Sequence, residues 1–235
     1  MRRVFALLIL AAFTVVAAGC TGKDAQEAEA LLAQSDAALA KVRSATFTLR
    51  LSTSGAPQNF SATMSGGGYL KGRRGGDFYV LVTAEDLGFR DLVLMQRDGR
   101  LTASVDGQRF TIGAPQAQGN LLETLDFGEY VKDVRVEHGK LIDGEPMTKL
   151  KGVIDTAALV EGSLSALGGV ESLGEDFDFS DVLGDTNVVL YVSDVTHLPM
   201  RGLLDMHVNA PGEEFDFHVD FAYTSINEPV PFPAT

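Results

Sequence analysis

The chain has 235 residues, a single cysteine, no tryptophan and a formal net charge of −13. One cysteine excludes a disulfide framework, so the fold must rest on its apolar core. The acidic balance argues against nucleic acid, which requires a basic face, and against electrostatic adhesion to anionic headgroups.

The first element is Met1-Arg2-Arg3 followed by an apolar run from Val4 to Ala18, broken only by Thr14 and closed by Ala17-Ala18-Gly19-Cys20. A positive start, a short greasy stretch and small residues before a break describe a signal peptide over residues 1–19. The run is shorter than the roughly 20 residues a membrane span needs. Small residues directly before a cysteine resemble the bacterial lipobox, with Ala17 standing where leucine is commonest. In that pattern the Cys20 thiol takes a diacylglycerol, the leader is cleaved before it and the new N-terminus is acylated. The plainer reading is an ordinary signal peptide with an incidental cysteine. Losing Arg2 and Arg3 with the leader would carry the charge from −13 to −15, so a covalent lipid is the better explanation of any membrane attachment. Two or more acyl chains anchor stably where one does not. The expectation is a lipidated tether over residues 20–27 and one domain over 28–235, exported and held on the outer face of the cell membrane.

From Ala25 to Val42, residues Ala28, Leu31, Leu32, Ser35, Ala38, Leu39 and Val42 recur at spacings of three and four, a helix with a narrow face suited to packing on a sheet. Strands follow. Phe47, Leu49 and Leu51 alternate with Thr46, Thr48 and Arg50, and Phe60, Ala62 and Met64 with Ser61, Thr63 and Ser65, as in a sheet with one wet face. Gly66-Gly67-Gly68 and the run from Gly72 to Gly76 suit turns or bulges. Strands are expected at 77–83, 90–96, 101–105 and 109–112, with Asp98-Gly99 and Asp106-Gly107 as hairpin signals.

Residues 119–130 fit a helix. Strands at 131–137 and 148–154 are joined by polar turns containing Gly139 and Gly144. A further helix is expected over 156–167, capped by Asp155 and stopped by Gly168-Gly169. The stretch from Glu171 to Asp185 carries six acids and no base alongside Phe177 and Phe179, and reads as a surface segment able to fold over something apolar. Strands at 188–192 and 201–208 flank a break at His197-Leu198-Pro199. After a Pro211-Gly212 turn the last strand puts Phe215, Phe217, Val219, Phe221 and Tyr223 on one face and Asp216, His218 and Asp220 on the other. A proline-rich tail ends the sheet. About ten sequential amphipathic strands and two or three helices make an α+β protein: one strongly curved antiparallel sheet with helices over its apolar side.

Catalytic and metal signatures are weak. His138 and His197 adjoin a turn glycine and a proline, as loop residues do. His207 and His218 fall roughly opposite each other with Asp205, Asp216 and Asp220 beside them, which is more often a solvated face than a metal site. Asp176-x-Asp178-x-Ser180 lacks the glycine and distal glutamate of a calcium loop. Arg73-Arg74 is a small basic turn, either a phosphate or membrane contact or simply solvated. No nucleophile elbow, P-loop or zincin helix is present. No enzyme activity, metal or cofactor is therefore expected. The substantive feature is apolar: Phe47, Leu49, Leu51, Phe60, Met64, Phe78, Val80, Leu92, Leu94, Leu190, Leu204, Met206, Phe215, Phe217, Val219 and Phe221 could all line one concave side. Periodicity does not distinguish a filled core from a cavity. The covering helices look few for so many large side chains, and flexible Met and Phe suit irregular greasy ligands.

Several stretches resemble one family. Ala17-Ala18-Gly19-Cys20 precedes an Ala/Leu helix, Val42-Arg43-Ser44-Ala45-Thr46-Phe47 passes from helix to strand, and Met147-Thr148-Lys149-Leu150-Lys151-Gly152-Val153-Ile154-Asp155 leads into a middle helix. Val188-Val189-Leu190-Tyr191-Val192 runs on to Leu198-Pro199-Met200-Arg201, and Asn227-Glu228-Pro229-Val230-Pro231-Phe232-Pro233 ends the chain. Together they resemble the actinobacterial LppX/LprAFG lipoproteins and, beyond them, the LolA/LolB-like carriers. The resemblance implies a half-barrel with helices over a hydrophobic cavity, and a non-enzymatic carrier of lipids or acylated glycolipids across the cell envelope. A membrane transporter is a candidate partner. The alternative on the same fold is an envelope sensor or scaffold acting through protein contacts.

Overall fold

The computed structural model describes residues 23–56, 59–70, 76–98, 100–105, 107–112, 131–156, 183–210 and 213–233. The expectations for the leader and Cys20, for Arg73-Arg74, for the helix at 119–130, for the helix at 156–167 beyond its first residue, and for the acidic stretch up to 182 lie outside the described residues.

The chain opens with helix α1 (Lys23–Leu39). It begins inside the stretch expected to be a tether: Lys23 to Glu27 contains no helix breaker, and Asp24 in the first turn complements the positive helix end. Eleven strands follow: β1 (Ser44–Ser54), β2 (Ser61–Tyr69), β3 (Phe78–Ala84), β4 (Phe89–Arg97), β5 (Arg100–Val105), β6 (Gln108–Ile112), β7 (Val131–Ile142), β8 (Glu145–Ile154), β9 (Leu183–Ser193), β10 (Pro199–Ala210) and β11 (Glu213–Ile226). They form one antiparallel sheet in the order β6-β5-β4-β3-β2-β1-β11-β10-β9-β8-β7. β1 to β6 is one meander and β7 to β11 another. The first and last strands join them at the centre, from Ala45 opposite Ile226 to Ser54 opposite Asp216.

The hairpin signals act as expected. Asp98 adopts φ 50° and Gly107 φ 77°, the left-handed conformations that tight turns between β4, β5 and β6 demand. Two glycine readings are corrected. Gly66, Gly67 and Gly68 are not a turn: they sit inside β2, opposite Phe47, Thr46 and Ala45. A Cβ on Gly66 would meet the Tyr79 carbonyl at 2.6 Å and the Phe47 ring at 2.8 Å, and one on Gly67 would meet Thr46 at 2.8 Å. These glycines let neighbours approach the strand closely on both faces. Gly139 is not a loop end either. It lies within β7 at φ 70°, where the pairing with β8 shifts register between Glu137 and Lys140. A bulge lets the strand run on to Ile142.

The core follows the sheet's apolar face. Its centre is Leu49, Leu51, Ala62, Met206, Val208, Phe217, Val219 and Phe221, with Phe47, Phe60 and Phe215 packed alongside. α1 lays Ala28, Leu31 and Leu32 against Leu150, Ile154, Val188, Leu190 and Val192. It ends where Val42 meets Leu198 and Ala45. On the opposite face the tail does more than end the sheet. Val230 and Phe232 fold back onto Tyr69, Tyr79 and Met95, with the Phe232 ring 6.1 Å from that of Tyr69 and 5.5 Å from that of Tyr79.

Candidate functional site

The pairing register decides which side chains share a face. Starting from Leu49, the partners run through Met64, Val82 and Leu92 in one direction and through Phe221, Gly202, Leu190 and Leu150 in the other. Neighbouring rows add Phe47, Val80 and Leu94, then Leu51, Val219 and Leu204, then Phe217 and Met206, then Phe215. Phe78 sits opposite Gly68 in the same alternation. Phe60 precedes β2 and reaches the same cluster, its ring 6.4 Å from that of Phe217. All sixteen apolar residues singled out in the sequence thus belong to one face. Val82, Val188, Leu150 and Ile154 belong to it as well and were missed, although the alternation that selects Val80 also selects Val82.

The face is not uniform. Leu49 and Val192 are 0% exposed, whereas Phe78, Val80, Val82, Leu92 and Leu94 are only half-buried. α1 packs on the β7 to β10 side. Three phenylalanines lie opposite glycines: Phe47 opposite Gly66, Phe78 opposite Gly68 and Phe221 opposite Gly202. Absent side chains there leave room for rings, and Phe47 and Phe221 stack at 5.7 Å. Tyr223 continues the row with its ring 4.9 Å from Phe221, and burial pushes its phenol up to about 12. The arrangement offers dispersion contact and water exclusion.

The histidines lie elsewhere. His207 and His218 are not opposite each other. The register places His207 across from Asp216 and His218 across from Asp205, in step with Ala210 opposite Glu213. His207 Nδ1 donates to Asp216 at 2.9 Å and His218 Nδ1 to Asp205 at 2.7 Å. Arg201 forks onto Asp220 at 2.9 and 2.7 Å. The pairs form a ladder along the outer face of β10 and β11. No three metal-binding side chains converge among the described residues. His138 is a strand residue rather than a loop one. It joins Glu27 of α1 at 2.8 Å and Thr148 at 3.1 Å, and Thr148 donates to Asp194 at 2.7 Å. That relay pins the start of α1 to the sheet. His197 is half-buried at φ 57°.

The His207–Asp216 pair is pH-sensitive in a definite direction. The hydrogen bond to Asp216, aided by Glu214, holds the His207 imidazolium above its ordinary range. A raised folded-state pKa stabilises fully below the unfolded value and is lost as pH rises through the folded value. Asp216→Asn is therefore expected to lower the melting temperature more at about pH 5.5 than at about pH 8.5. An NMR titration of His207 should show its upward shift vanish in that variant.

An open antiparallel sheet with one apolar face, backed on one side by an N-terminal helix, defines a class of protein built to bury greasy surface between sheet and helix. Within that class the chain has the LppX/LprF-type lipoprotein fold. LprF from Mycobacterium bovis superposes with a TM-score of 0.52 at 17% identity, over 91% of this chain and 99% of that one. LppX from Mycobacterium tuberculosis gives 0.49 at 15% identity, over 86% and 96%. MucB of Pseudomonas aeruginosa, solved with MucA, gives 0.36 at 15%, over 86% and 56%. No protein-family model matches the chain and no curated protein matches it in sequence.

Proposed function

We propose that the protein is exported, anchored to the outer face of the cell membrane through acylated Cys20, and carries lipids or acylated glycolipids without catalysing a reaction. One observation carries this reading. The apolar face runs unbroken from β4 to β9, yet its β3–β4 part stays half-buried while α1 backs the other side. Acyl chains laid along it would gain about 0.8 kcal/mol per buried CH₂. Headgroups would stay at the rim, and the outer-face histidines, each held by a carboxylate, serve stability rather than chemistry. The fold shared with LprF, a mycobacterial protein, accords with an envelope location.

The test is native mass spectrometry with lipid extraction on the unacylated domain expressed in its own host. About one lipid or glycolipid per chain is expected. A bare protein mass with no extractable lipid would sink the carrier reading, and a stoichiometric protein partner in its place would establish the scaffold alternative.

A further inference from the structure

We propose that the outer face of the β4–β6 hairpins is a binding site for a phosphate-bearing anion. The register sets Arg97 opposite Arg100, Met95 opposite Thr102 and Ser104 opposite Arg109, all on the face away from Leu94 and Ala103. There Met95, Arg97, Asp98, Arg100, Thr102 and Arg109 line a cleft of about 440 Å³. Its size falls among small-ligand sites, roughly 300–1,000 Å³, and exceeds what bare phosphate needs.

Charge makes the cleft unusual. Like charges directly across a strand pair destabilise it, yet Arg97 and Arg100 are such partners. Among the described residues no carboxylate forms an ion pair with Arg97, Arg100 or Arg109. Three cations elsewhere on the sheet are paired, Arg201 with Asp220 at 2.7 Å and Lys151 and Lys140 with Glu137 at 2.6 and 3.3 Å, whereas here three arginines unpaired among the described residues share one cleft. Asp98, the one acid lining the cleft among the described residues, is fixed through its backbone N–H, which donates to the buried Asp77 carboxylate at 3.0 Å. Three arginines against Asp98 and the adjoining Asp77 leave the described lining formally net positive. The guanidinium fork matches phosphate oxygens bidentately. The floor is well packed: Met95 is buried against the folded-back tail, and the Thr102 hydroxyl donates to the Met95 carbonyl at 3.2 Å. A site carried on paired strands is preorganised.

The phosphate can come from an anionic phospholipid headgroup or from a soluble phosphate ester, and one experiment separates them. The full acylated chain is placed in phosphatidylcholine or phosphatidylglycerol nanodiscs, and hydrogen exchange is followed at β4–β6. Protection by added glycerol phosphate in phosphatidylcholine discs identifies a soluble source. Protection in phosphatidylglycerol discs alone identifies the headgroup. In either case Arg97→Gln/Arg100→Gln/Arg109→Gln should weaken the effect about tenfold or more, while Lys149→Gln/Lys151→Gln on β8, toward the other end of the same outer face, leaves it intact. No protection from either source, or equal protection in the triple arginine variant, overturns the site. Because the cleft lies on the opposite face, the triple variant should keep any co-purifying lipid, so the two assignments fail separately.

Discussion

Leu49→Ala is expected to cost about 3–5 kcal/mol of folding stability, the upper part of the range for a fully buried leucine. Leu49 is 0% exposed and lies in β1, between Met64 of β2 and Phe221 of β11. Those partners belong to the two separate meanders, so the leucine sits on the seam that joins them. The surrounding rings of Phe47 and Phe221 stack on each other and cannot both collapse into the space a methyl would leave. Urea unfolding should show a lower midpoint with an unchanged slope. Leu94→Ala provides the contrast. Leu94 is half-buried on the same face and should cost about 1 kcal/mol or less, since a side chain that keeps solvent contact has less transfer energy to lose. Equal costs at the two positions would mean that the face is packed evenly from centre to edge.

The sheet's apolar face was legible because alternation is a local property. Phe47, Leu49 and Leu51, or Phe215 to Phe221, announce a face within a few residues, and hairpins such as Asp98-Gly99 hold the faces in register. What joins the meanders was not legible. The pairing of β1 with β11 brings together residues such as Ala45 and Ile226, and no short-range pattern encodes that. Close approach hides in sequence too. Gly66-Gly67-Gly68 looks like a turn because glycine frees the backbone, whereas here it frees space for Phe47, Thr46 and Phe78. The histidine ladder was missed by one diagonal step. The register that sets Ala210 opposite Glu213 also sets His207 opposite Asp216, and a shift of two residues along the strand changes a pair of histidines into two histidine–carboxylate pairs. The arginine cleft escaped notice because Arg97, Arg100 and Arg109 lie on three strands, and the chain's overall charge pointed the other way.

Val80→Gln/Leu94→Gln is expected to lower co-purifying lipid at least about tenfold while shifting the melting temperature by only a few degrees. Val80 and Leu94 are direct cross-strand partners on β3 and β4, both half-buried on the apolar face. If acyl chains lie there, two amides replace the contacts that exclude water, and cargo binding suffers while the empty protein hydrates the amides at little cost. If the same face is dry core, the two amides are buried without partners, each costing roughly 1–3 kcal/mol, and the protein melts far earlier. The two readings thus move different observables. Lipid loss at near-constant stability identifies a surface that cargo completes. A collapse in stability identifies a surface that the protein completes itself, and with it a function carried by the outer face, where the charged ladder and the arginine cleft are displayed.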